Sequence, residues 1–296
     1  MRVRFALLPA ALLVALTALP SPATAETLTC TEITSLPTTI STQGVYCMKK
    51  NFSMNLATGA AITVTVNNVT IDCNDFKIGN LPAGPSTQAV GVLAASRLNV
   101  RVRGCGIRGF QRGVSMSDGL YQLENNRFDN NYEVGAAVSG DGSVVRGNEI
   151  VDTGGSTAAG VEDAYGLLVA DDMDIVDNTI TAVAAPVGSD GDAYGIASDG
   201  NDAGTIAGNR IRSLAPDGSG RRRGIWSPDG NRLTVERNTV VLNGGNLLDG
   251  EAGIRCGGLL LDGASRDNTV LGVGLLGGVF ALVNCQAAGG DFTSAL

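Results

Sequence analysis

Ile175-Val176-Asp177-Asn178-Thr179-Ile180 returns 31 residues later as Ile206-Ala207-Gly208-Asn209-Arg210-Ile211. In both copies an apolar residue stands three positions before an asparagine and another stands two positions after it. The same spacing surrounds Asn126, Asn148 and Asn238, with Leu123, Val145 and Val235 in front and Phe128, Ile150 and Val240 behind; Asn268 keeps the trailing half with Val270. A second series keeps step with the first. Gly113, Gly135, Gly166, Gly195, Gly224 and Gly253 each precede a short apolar stretch, at intervals of 22, 31, 29, 29 and 29 residues. A repeat of this length marks a solenoid or array.

The residues between the markers show which solenoid. The third residue before each asparagine is apolar, whereas the second is Glu124, Arg146, Val176, Ala207 or Glu236, so the apolar register alternates with period two. Short β-branched runs bounded by Gly, Asn and Asp read as strands joined by turns, and no helical period is sustained. Coiling such strands into a parallel β-helix satisfies both periodicities. Each asparagine then stacks on the next at about 4.8 Å, where amide side chains bond along the axis, and the glycines are expected to permit tight corners. Aligning Ile107 and Phe76 with the apolar position extends the ladder to Cys105 and Asn74. The outward site of successive coils then reads Asp72, Arg103, Glu124, Arg146, an alternation of charge that favours neighbouring strands.

With its Gly-apolar-x-apolar and Asn-x-apolar repeats over roughly residues 60 to 285, the chain resembles the pectate-lyase-like superfamily of right-handed parallel β-helix proteins. The resemblance implies an all-β solenoid of about eight to nine coils. It also implies a scaffold that carries lyases, glycoside hydrolases, esterases, epimerases and proteins without known chemistry, so function rests on the site.

Arg2 and Arg4, the apolar run from Phe5 to Ala18, and Ala23-Thr24-Ala25 read as a secretory signal over residues 1–25. Residues 26–60 are then expected to form an N-terminal cap and 61–296 the β-helix domain of a secreted or periplasmic protein, expected to act as a monomer. Without Arg2 and Arg4, 21 − 2 = 19 basic residues face 29 acidic ones, a formal charge of 19 − 29 = −10. Such a balance disfavours nucleic acid as a partner. No later apolar stretch is long enough to span a bilayer. Six cysteines in an exported chain suggest disulfides. Cys256 and Cys285 lie one coil period apart, Cys73 and Cys105 lie in adjacent coils, and Cys30 with Cys47 would close an N-terminal loop. Other pairings among the first four remain open.

The chain contains no histidine, so imidazole acid–base chemistry and a Ser-His-Asp triad are excluded. Between Arg146 and Arg210 there is no Lys or Arg, yet there are twelve acids. Within that belt Asp163-Ala164-Tyr165-Gly166 is duplicated as Asp192-Ala193-Tyr194-Gly195, and one coil later the equivalent residues are Arg221-Arg222-Arg223-Gly224. Stacked coils should therefore place Asp163, Asp192 and Arg221 in one row and Tyr165, Tyr194 and Arg223 in the next, beside the long loops before each glycine, where binding usually resides.

Three readings stay open. In the first, Asp163 and Asp192 hold Ca2+ that bridges to the carboxylate of an acidic polysaccharide while Arg221 or Arg223 removes a proton for β-elimination. Lyases of the superfamily that the chain resembles are similar in using Ca2+-binding aspartates and an Arg or Lys base. In the second, the aspartates are the acid and nucleophile of a glycoside hydrolase. In the third, the row is structural and the protein is a non-catalytic surface or adhesion solenoid. Trp226, the only tryptophan, stands near Arg223 and Arg255, where it would stack on a sugar or pack beneath a loop.

Overall fold

The computed structural model describes residues 29–198, 204–228, 233–242, 252–257, 263–272, 280–283 and 285–294. Residues 1–25, read from the sequence as a secretory signal, lie outside them. The described chain coils into a right-handed parallel β-helix with three parallel sheets of 11, 10 and 10 strands, one to three rungs more than the eight to nine coils expected. One coil shows the order. Ala164–Ala170 belongs to the glycine-led sheet, Met173–Val176 to the sheet that precedes the asparagine, and Thr179–Ala184 to the sheet that follows it; Ala193–Ser198 then starts the next coil.

Pairing begins inside the segment expected to be a cap. Thr38–Ile40 pairs in parallel with Ala60–Val64, and Gly44–Cys47 pairs with Val69–Asp72, so these residues already form a rung. The three disulfides are Cys30–Cys47, Cys73–Cys105 and Cys256–Cys285, the pairs that coil stacking favours.

Alternation carries the core. Ile71, Val102, Leu123, Val145, Ile175 and Ile206 line one inner wall, and Ile107, Phe128, Ile150, Ile180 and Ile211 line another, all buried. Each such side chain stabilises the fold by about 1.5–3 kcal/mol relative to an exposed one. One outward charge pair forms across coils as the register implies: Asp72 stands opposite Arg103 and the two side chains meet at 2.8 Å, whereas Glu124, also opposite Arg103, meets Arg101 at 3.6 Å.

The asparagine ladder is continuous. Asn126, Asn148, Asn178, Asn209 and Asn238 each donate both a backbone N–H and a side-chain N–H to Oδ1 of the next asparagine, at 2.9–3.0 Å. The second amide hydrogen goes back to a carbonyl of the previous coil, as from Asn178 to Val145 at 2.9 Å. At the C-terminal end Asp291 takes the acceptor role for Asn268. At the other end the N–H of Cys105 donates to Asn126, which confirms Cys105 as a ladder position.

Two expectations change. Ile78, not Phe76, stands opposite Ile107, because the corner after Asp72 is two residues longer than the one after Arg103; Asn74 and Asp75 take left-handed φ of 48° and 62° there, and Asn74 leaves the ladder to bond the Met48 carbonyl. The glycine series does not make the corners either. The corner residue is the one immediately before each ladder asparagine: Asn125, Gly147, Asp177, Gly208, Arg237 and Asp267 all have φ between 53° and 68°. Asn, Asp and Gly populate that region most readily. The glycine series solves a steric problem. A Cβ on Gly195 would lie 2.5 Å from the Gly224 carbonyl oxygen and 2.5 Å from Cγ2 of Ile211, and Gly166 stands in the same relation to Gly195 and Ile180. Glycine lets the apolar residue behind each asparagine press across the core onto bare backbone.

Candidate functional site

The duplicated tetrapeptide lies where strands of the glycine-led sheet begin, and register stacks its copies. Tyr165 stands opposite Tyr194, Tyr194 opposite Arg223, and three residues further on Ala197 stands opposite Trp226 and Trp226 opposite Arg255. Parallel pairing thus brings residues 29 apart in sequence to one inter-strand spacing.

The side chains interlock along this column. Asp163 accepts the N–H of Asp192 at 2.7 Å and the Tyr165 hydroxyl at 2.9 Å. One coil on, Asp192 accepts the backbone N–H of Arg221 at 2.6 Å, the Tyr194 hydroxyl at 3.0 Å and Nε of Arg223 at 2.5 Å. The two tyrosine rings stack at 4.7 Å with 14° between their planes. The Arg223 guanidinium sits 5.6 Å from the Tyr194 ring centroid and 3.6 Å from that of Trp226, and Arg255 covers Trp226 at 4.5 Å. The Arg223 side chain is 11% exposed and that of Asp192 14%, so this ion pair is shielded from water. Burial first, and then the neighbouring carboxylates, push both phenols well above their ordinary value.

The site residues singled out from the sequence therefore contact one another in one cluster spanning neighbouring register positions, with two changes of role. Arg221 meets Asp192 through its backbone, and the guanidinium on that carboxylate is that of Arg223. Trp226 is not a bare ring, because two arginines lie over it. Sequence reasoning missed the lower end, where Arg112 binds Glu133 at 3.2 Å and leaves the buried Glu133 Oε2 without a hydrogen bond among the described residues. Their separation of 21 residues, one short coil, was the available signal.

Further along the same strands runs a row of mostly small residues, Ser115, Ala137, Leu168 and the buried Ala197, in mutual register. Ser115, Ala137 and Leu168 floor a cleft of about 240 Å³ bounded by Arg112, Ser117 and Ser139. The long loops stack before the column: Ser189 Oγ donates to the Glu162 carbonyl at 2.8 Å, and Asp217 accepts the N–H of Gly188 at 2.7 Å. Asp171 has a left-handed φ of 76°.

Residues 38–253 match the model of the family described as NosD, periplasmic copper-binding protein. The chain belongs to the NosD family. Membership and three disulfides make it an exported protein. No curated protein matches it. Among solved structures it is similar to the Dettilon tailspike protein gp208, at 14% identity and a TM-score of 0.51; the match covers 87% of this chain and 59% of the tailspike, a likeness of fold alone. Among the described residues no helix is long and apolar enough to cross a membrane.

The metal named in the family description does not fit the donors present. The chain has no histidine, and all six cysteines are bound in disulfides. Nor do Asp163 and Asp192 form a Ca2+ cradle, which needs roughly six to eight oxygen ligands. Their carboxylate oxygens already accept N–H, O–H and guanidinium donors, and among the described residues no three Asp, Glu, Cys or His side chains gather.

Proposed function

We propose that this NosD-family chain binds an acidic extracellular polysaccharide along the outward face of its glycine-led sheet, without cleaving it. The observation that carries the reading is the Tyr194–Arg223–Trp226–Arg255 stack, two guanidinium groups fixed on one aromatic ring beside a strip of small side chains. Arg255, held over Trp226, is the guanidinium placed to meet a uronate carboxylate, while Arg223, paired with Asp192, fixes the ring beneath it, so little further side-chain entropy is lost. The small residues leave room for sugar rings, and the aromatic edges offer them apolar surface. A chain this acidic needs such a local cationic patch to hold a polyanion.

Binding without turnover follows from the same bonds. Asp163 and Asp192 are tied to the next coil and to their tyrosines, and Arg223 is tied to Asp192, so three of the groups expected to act as cation ligand, nucleophile or base are engaged in holding the column together.

Titration calorimetry of the mature protein with polyuronates and with a neutral glucan tests this. Salt-sensitive binding of a polyuronate is expected, weakened at least about tenfold, or 1.4 kcal/mol, by Arg223→Ala with Arg255→Ala while the thermal melt keeps its cooperativity. Release of unsaturated product would replace the reading with β-elimination at Arg221 or Arg223. Failure of every polyanion to bind would leave a surface or structural solenoid.

A further inference from the structure

We infer that this member of the NosD family holds no copper: the ligands that its family description calls for are missing from the chain. Copper sites are built from imidazole, thiolate and thioether, with Cu(I) selecting sulfur and Cu(II) favouring imidazole nitrogen and oxygen in tetragonal geometry. None of the 296 residues is a histidine. The cysteines are the next candidates, and each is spent. Cys30–Cys47, Cys73–Cys105 and Cys256–Cys285 leave no free thiol to ionise, and the thiolate is the form that binds metal.

Thioethers do not fill the gap. Besides Met1 the chain has Met48, Met54, Met116 and Met173. Met48, Met116 and Met173 are at most 2% exposed, and Met54 packs partly buried against the same core. Met116 stands opposite Val138 in the glycine-led sheet, whereas Met173 stands opposite Ser143 in the sheet that precedes the asparagines, so the two occupy different walls of the helix. Their chemistry is that of core filling. What remains is carboxylate and carbonyl oxygen, the donor class of Mg2+, Ca2+ and Mn2+. The NosD scaffold is therefore retained here without the soft-metal inventory, and its repeats serve the stacked face instead.

The test uses the oxidised mature protein. It is incubated with Cu(II) in air and, separately, with Cu(I) under anaerobic conditions against a chromophoric chelator, then desalted and its copper counted by mass spectrometry. Copper well below one equivalent per chain, with an unchanged thermal melt, is the expected result. The same chain unfolded and reduced is expected to take up Cu(I) through its six thiols, which shows that disulfide bonding and not the assay accounts for the silence. One equivalent retained by the oxidised protein against chelator, in either oxidation state, would overturn the inference.

Discussion

Tyr165 and Tyr194 show how two unremarkable residues acquire shifted chemistry from stacking alone. Each phenol is partly buried against its neighbour and donates to a carboxylate two residues earlier, so ionisation would place a phenolate beside Asp163 or Asp192 in a drying environment. Both phenols are consequently raised above the ordinary value of 10, by burial first and the carboxylate second. The sign of the linkage follows. A folded-state pKa above the unfolded one favours the protonated phenol in the fold, so this contribution to stability is complete below pH 10 and is lost as pH rises from 10 toward the folded value. Ultraviolet titration should find these phenols protonated in the native protein above pH 10, where those of the unfolded chain ionise. Asp192→Asn should lower the titration of Tyr194 and leave burial and the Asp163 charge as the causes that still raise it; an unchanged curve in that variant would show that the Asp192 carboxylate does not act on the ring. The tetrapeptide was legible in the sequence because both copies are identical and one period apart. The guanidinium–tryptophan stack was not, since register places Arg223 opposite Tyr194 and only the side-chain torsions bring its guanidinium over Trp226.

At the scale of the strand and its corner, the two repeats read from the sequence are two sides of one contact. The apolar residue behind each asparagine points across the core, and the glycine at the same level leaves the space it enters. Gly195→Ala therefore puts a methyl group against both Ile211 Cγ2 and the Gly224 carbonyl oxygen, at 2.5 Å from each. Overpacking of this kind costs about 1–3 kcal/mol where neighbours can move. Here one neighbour is backbone inside a ten-stranded sheet. A loss at or above the top of that range is expected in denaturant unfolding, and Ile211→Ala in the same chain should fail to restore it, because trimming the side chain leaves the carbonyl in place. Restoration would mean that side-chain crowding is the whole cause. Strand positions were legible because alternation fixes which residues face inward. The corner after Asp72 was not, since Asn74 matches the ladder residue by type while two left-handed residues shift the pairing to Ile78.

Over the whole molecule, stability passes from coil to coil, because each rung touches only the rung above and the rung below. Such a helix is weakest at its ends, where one neighbour is absent and sheet edges stand open. The disulfides are placed accordingly: Cys30–Cys47 and Cys73–Cys105 tie the first rungs, and Cys256–Cys285 ties the last, leaving the middle coils to the asparagine ladder and the core. Closing the 29-residue loop between Cys256 and Cys285 constrains the unfolded chain by roughly 3–4 kcal/mol in the chain-entropy account. In a two-state globule that loss would appear everywhere. In a stack it should stay local, so a Cys256→Ser, Cys285→Ser chain is expected to lose hydrogen-exchange protection around Ala252–Arg255 and Thr269–Leu271 while Ala164–Ala170 keeps the protection of the parent protein. The stack of Arg255 on Trp226 lies at the boundary between these regions, so polyuronate affinity should fall in the same chain although no residue of the column has been changed. Uniform loss of protection from the first rung to the last would show instead that the coils unfold as one unit, and the ladder would then act as a single cooperative spine.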